Sequence, residues 1–99
     1  MLTFMSNIVC EDVLVQTQYD GMLVEWKLGN CRSSRVYDDY RSYVQRCCLL
    51  PGSHTLTCIN RDKSEGWKGG NIQYQKTTYC NDFFAFKTFR NIQLKGNNM

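Results

Sequence analysis

Ninety-nine residues, 42% of them hydrophobic and 21% charged, make one folded domain with room for a single core and none for a second. The composition is too apolar for a disordered chain. A net charge of +3 falls short of what a dedicated nucleic-acid binder carries, and no apolar run reaches the roughly 18 residues of a spanning helix.

From Ile8 to Thr17, IVCEDVLVQT sets Val9, Val13 and Val15 on one parity and Cys10 and Leu14 on the other, which predicts a strand with a bulge near Glu11. Asp20-Gly21 is a hairpin-turn dipeptide. LVEWKL then alternates cleanly, with Val24, Trp26 and Leu28 facing one way and Leu23, Glu25 and Lys27 the other. Gly29-Asn30 breaks that strand, and Cys31 anchors its exit.

Between Ser33 and Cys48 the apolar residues Val36, Tyr40, Tyr43, Val44 and Cys47 fall at helical spacings. The region is nevertheless rich in Tyr, Val and Ser and lacks Ala, Glu and Lys, so we expect a loop followed by a strand from Tyr43 to Leu49, with a helical turn as the alternative. Pro51-Gly52 reads as the turn of a hairpin whose second strand runs from His54 to Asn60, with Leu56 and Cys58 on one face. After the polar loop RDKSEGWKGG come three apolar pieces: Ile72 with Tyr74, Tyr79 to Phe86, and Phe89 with Ile92 and Leu94. Residues 94–99 are expected to fray. Short strands at near-regular spacing, separated by Gly, Pro and Asp turns, predict a single all-β domain over 1–99, an antiparallel sandwich or jelly roll with little helix.

Six cysteines in a short chain read as three disulfides among Cys10, Cys31, Cys47, Cys48, Cys58 and Cys80. Cys58 with Cys80 is the favoured pair, because both sit in adjacent C-terminal β pieces. Cys31 then takes Cys47 or Cys48, and Cys10 takes the other. Neighbours Cys47 and Cys48 in a strand point to opposite faces, which suits two separate bridges better than one zinc ion; no metal site is expected. Cysteine usage of this kind indicates a secreted protein. MLTFMSNIVCED lacks the basic start of a secretory leader, so we take the chain as a form from which a leader has been removed.

No sequence pattern specifies catalysis. The only histidine, His54, sits beside a turn, and Glu11, Asp12, Asp38, Asp39 and Asp82 are not placed together by spacing, so no enzyme is expected. Arg32, Arg35, Arg41 and Arg46 interleave with Tyr37, Tyr40 and Tyr43 in the manner of a nucleic-acid surface, but Asp38 and Asp39 interrupt them. The loop from Asn60 to Asn71 is the best candidate site. It joins Arg61, Lys63 and Lys68 with Asp62, Glu65 and Trp67, and Gly69-Gly70 permits close approach. Trp67 is positioned to stack on a sugar ring while the cations bind sulfate or carboxylate; the alternative is that it folds back as a cap on the sandwich. For calcium the oxygen donors are Asp62, Glu65 and either Asn60 or Asn71, fewer than it requires, with Lys63 and Lys68 opposing it. No cofactor is expected.

Glu25-Trp26 in the second strand, CLLPGSHT from Cys48 to Thr55, EGWKGG from Glu65 to Gly70 and the closing Tyr79-Cys80 together resemble small β-sandwich modules of secreted invertebrate and bacterial proteins. Their pattern is a Glu-x-Trp strand, a Cys-x-x-x-Gly-x-Tyr-Thr hairpin and a Gly-Asp-Gly-Trp-x-Gly-Gly turn, and the resemblance covers about Tyr19 to Phe83. His54 stands where the pattern has Tyr, and RDKSEG replaces a more acidic turn, which removes carboxylates that a bound cation would need. The resemblance implies an appended binding or adhesion unit. We therefore expect a non-enzymatic extracellular module that binds a glycan or protein through the 60–71 loop. One alternative is a structural subunit of a filament, coat or matrix that packs through Phe83, Phe84, Phe86 and Phe89. Another is a small secreted toxin or inhibitor, although no reactive loop is recognisable.

Overall fold

A computed structural model of the chain describes residues 8–63 and 66–95. Two-residue alternation forces an extended backbone wherever one face must be buried, and the strands follow it. β1 (Val9–Gln16) buries Val9, Val13 and Val15, and β2 (Val24–Leu28) buries Val24, Trp26 and Leu28. β3 (Cys31–Arg32) is a two-residue edge. β4 (Ser42–Leu49) buries Cys47 and Leu49, and β5 (Gly52–Asn60) buries Leu56, Cys58 and Asn60. β6 (Asn71–Tyr74) contributes Ile72 and Tyr74, β7 (Thr77–Tyr79) is short, and β8 (Lys87–Leu94) contributes Ile92 and Leu94. A 3-10 turn at Gly21–Leu23 is the one helical element among the described residues.

The strands form two four-stranded antiparallel sheets, ordered β4-β1-β6-β7 and β3-β2-β5-β8, which pack face to face around Trp26. Among the connections, only β2 to β3 and β6 to β7 join strands that pair with each other. The chain therefore crosses between sheets at Asp20-Gly21 and again at Pro51-Gly52, and neither turn closes the hairpin expected of it. Turn chemistry dictates that the chain reverses, and burial decides which sheet receives the next strand.

Three further expectations are corrected. No bulge occurs near Glu11, since β1 and β4 pair without interruption from Val9 opposite Leu49 to Gln16 opposite Ser42. By contrast, the loop and following strand expected between Ser33 and Leu49 are present, with β4 running from Ser42 to Leu49 and no helical turn there. The apolar run from Tyr79 to Phe86 is not a strand: β7 ends at Tyr79, and Cys80 has φ of 64°, a left-handed conformation that breaks the ladder. Leu94 does not fray; it is buried and pairs with Gly52 in β5, while residues 96–99 lie outside the described residues.

Three disulfides join Cys58 to Cys80, Cys31 to Cys47 and Cys10 to Cys48, in agreement with the expected pairing. Two of them tie the sheets together. Cys31–Cys47 links the β3 and β4 edges, and Cys58–Cys80 links the middle of the second sheet to the end of β7. The third, Cys10–Cys48, lies within the first sheet between directly opposed residues.

Candidate functional site

The strand directions gather the four long connections, 17–23, 33–41, 61–70 and 80–86, at one end of the sandwich. The loop after β5 is held there by its own first residue. Asn60 is buried, its Nδ2 donates to the Gly66 carbonyl at 2.7 Å, and its Oδ1 accepts from the Asp62 amide at 2.8 Å. This side-chain mimic of a turn leaves Lys63 in a left-handed conformation at φ of 58°. Backbone bonds from Asn60 N to the Phe86 carbonyl, Gly66 N to the Ala85 carbonyl and Arg61 N to the Leu23 carbonyl fasten the loop to its neighbours.

Trp67 is 3% exposed. Its Nε1 donates to the Ile59 carbonyl at 2.9 Å, and Phe83 meets it edge to face with ring centroids 5.8 Å apart. Trp67 thus caps the core and is not free to stack on a sugar, which corrects the first of the two roles anticipated for it. Asn60, whose side chain is committed to the loop's own backbone, is likewise taken out of the oxygen set considered for calcium.

The remaining loop residues separate. Arg61 and Lys63 are exposed and line an open groove of about 390 Å³, together with Glu25, Ile59, Asn60, Phe86 and Lys87. Asp62 and Lys68 are exposed but do not line it, and Glu65 lies outside the described residues. Phe86, 46% exposed, supplies an apolar surface, with the Lys87 ammonium 5.8 Å from its ring centroid. Phe86 and Lys87 enter because Lys87 pairs with Ile59 across the β5–β8 ladder, which carries the start of β8 beside the loop. Their sequence signal was the run FFAFKTF, which composition marks as a contact surface and which pairing alone connects to Arg61 and Lys63.

Elsewhere, the residues that raised other chemistries have local tasks. His54 Nε2 lies 2.6 Å from the Leu50 carbonyl, spanning the β4–β5 turn. Asp39 Oδ1 accepts from the Gly21 amide at 2.7 Å, and Asp12 forms an exposed ion pair with Arg46 at 3.3 Å. Tyr37, in the arginine-tyrosine stretch, is buried, and Arg35 sits 4.7 Å above the ring of Tyr43. No helix among the described residues is long and apolar enough to cross a membrane.

The chain matches no family model, no characterised protein and no solved structure.

Proposed function

We propose that the protein is a non-enzymatic extracellular binding module whose groove between the 60–63 turn and Phe86–Lys87 takes an anionic glycan. The observation that carries this reading is that Arg61, Lys63 and Lys87 line one open groove together with the half-exposed ring of Phe86. A sugar face covers Phe86, sulfate or carboxylate groups meet the three cations, and Glu25 accepts from a sugar hydroxyl. The backbone bonds that fasten this loop mean that little ordering is left to be lost on binding. Three disulfides in so small a domain support an oxidising, extracellular setting.

The test is binding of the oxidised protein to a sulfated glycosaminoglycan, a polyuronate and a neutral glucan at several salt concentrations. The expected result is binding to the anionic polymers that weakens with salt. Arg61→Ala/Lys63→Ala/Lys87→Ala should lower affinity by about tenfold or more, about 1.4 kcal/mol, and Phe86→Ala should lower it too. Equal affinity in these variants, or no binding to any polymer, refutes the reading.

A second reading is self-assembly, favoured by the exposure of Phe84 (79%) in the 80–86 connection and of Phe89 (61%) in β8, whose outer edge is unpaired among the described strands. Mass that grows with protein concentration, and that Phe84→Ser/Phe89→Ser abolishes, would replace the glycan reading with this one.

A further inference from the structure

The three disulfides are not equivalent. Cys47, Cys58 and Cys80 are buried, so each of the two bridges between the sheets has at least one sulfur inside the core. Cys10–Cys48 lies on the outer face of the first sheet, where Cys48 is exposed and Cys10 half-buried. β4 is the edge strand of that sheet, so no further strand among the described residues covers the flank of Cys48. An open groove of about 470 Å³ adjoins Cys10, lined also by Glu11, Asp12, Arg46, Gln75 and Lys76.

The bridge is also redundant. Cys10 and Cys48 stand opposite each other in an eight-residue antiparallel ladder, with Cα atoms 4.0 Å apart, and Cys31–Cys47 already pins the neighbouring position of β4 to the second sheet. Opening Cys10–Cys48 therefore leaves both the strand pairing and the cross-sheet links in place. Opening either of the others removes one of the two covalent links between the sheets.

We propose that Cys10–Cys48 is a thiol–disulfide exchange site, opened by an external dithiol while the sandwich stays folded. A thiolate of the dithiol attacks the exposed Cys48 sulfur, the Cys10 sulfur leaves as a thiolate and takes up a proton, and a mixed disulfide remains on Cys48. The second thiol of the reductant, once deprotonated, attacks its own sulfur in that mixed disulfide and releases Cys48, which is protonated in turn. Two electrons pass to the protein and the reductant ends as a disulfide. Arg46 and Lys76 favour the departing Cys10 thiolate, while Glu11 and Asp12 oppose it and Asp12 is already paired with Arg46. Access, and not a lowered thiol pKa, sets the selectivity. The outcome is two thiols on an outer face of an intact module, a point where redox state alters the surface without unfolding it.

The experiment titrates the oxidised full chain with dithiothreitol under native conditions, quenches with iodoacetamide and maps the alkylated cysteines by peptide mass. The expected result is a species alkylated at Cys10 and Cys48 alone, with an unchanged circular dichroism spectrum, formed at a reductant concentration about tenfold below that needed for the other four cysteines. Cys10→Ser/Cys48→Ser should fold to the same spectrum and keep its two bridges over that range. Simultaneous modification of all six cysteines, prior opening of Cys31–Cys47, or an unfolded double variant overturns the proposal.

Discussion

Trp26 Nε1 donates a 2.9 Å hydrogen bond to the hydroxyl of Tyr37, and both side chains are buried. Trp26 belongs to β2 at the centre of the core, whereas Tyr37 lies in the long connection between β3 and β4, so this bond joins the bonds of Asp38 and Asp39 in holding that connection against the sandwich. Tyr37→Phe keeps the ring and leaves the indole N–H unpaired in the core, which should cost about 1–3 kcal/mol. The measurement is the urea midpoint, which should fall at unchanged slope. A midpoint equal to that of the parent would mean that the indole finds another acceptor.

The same pair illustrates what was readable in the residues and what was not. Trp26, Val24 and Leu28 declare themselves as core by strict alternation; the Cys58–Cys80 pair was also expected, although it joins the two sheets and not neighbouring strands, and Cys31 was assigned only to one of Cys47 and Cys48. Tyr37 gave no such signal, because it lies in an irregular segment where burial has no period. Trp67 misled for a related reason: Gly66, Gly69 and Gly70 around it look equally suited to an exposed binding loop and to a tight fold-back. Only the pairing of Ile59 with Lys87 shows that the site extends into the phenylalanine run, and such a contact across some thirty positions leaves no local trace.

Tyr74 presents the opposite case to Tyr37. Its hydroxyl is buried with no hydrogen-bond partner among the described residues, and burial, aided by the charge of Glu11, raises its pKa above the ordinary 10.0. Tyr74→Phe removes an unsatisfied polar atom and should be neutral or stabilising by about 1 kcal/mol. Burial also raises the pKa of Tyr37. A raised pKa in the folded state means that the unfolded chain gives up its proton first, so stability is full below about pH 10 and falls as pH rises beyond it. Tyr74→Phe should make that alkaline decline shallower, as read from urea midpoints between neutral pH and the start of the loss. An unchanged decline in the variant would show that burial of the Tyr74 hydroxyl does not shift its titration.

Gly66 has φ of 61°, and a Cβ there would run into the Phe83 carbonyl. Both the left-handed backbone and the close approach require glycine. Gly66→Ala should destabilise by about 1–3 kcal/mol and displace the 80–86 connection that carries Phe86. Gly52→Ala makes the control, since its φ of 126° is also unfavourable to a side chain but its Cβ would meet nothing within 4 Å. If the two substitutions cost the same, backbone strain accounts for the effect and the packing against Phe83 contributes nothing.

Asn60 connects stability to the proposed site. Its amide holds the Gly66 carbonyl, and its side-chain oxygen holds the turn that presents Arg61 and Lys63, so Asn60→Ala removes both bonds from a buried position. The expected loss is about 1–3 kcal/mol, accompanied by a red shift in tryptophan fluorescence as the cap formed by Trp67 loosens. Affinity for the anionic polymer should fall even at temperatures where the variant is fully folded, because the cations then have to be ordered by the ligand. Arg61→Ala/Lys63→Ala should instead reduce affinity with the fluorescence and the urea midpoint unchanged. Should Asn60→Ala loosen the cap and leave binding intact, the geometry of the 60–63 turn would be irrelevant to recognition and the charges alone would account for it.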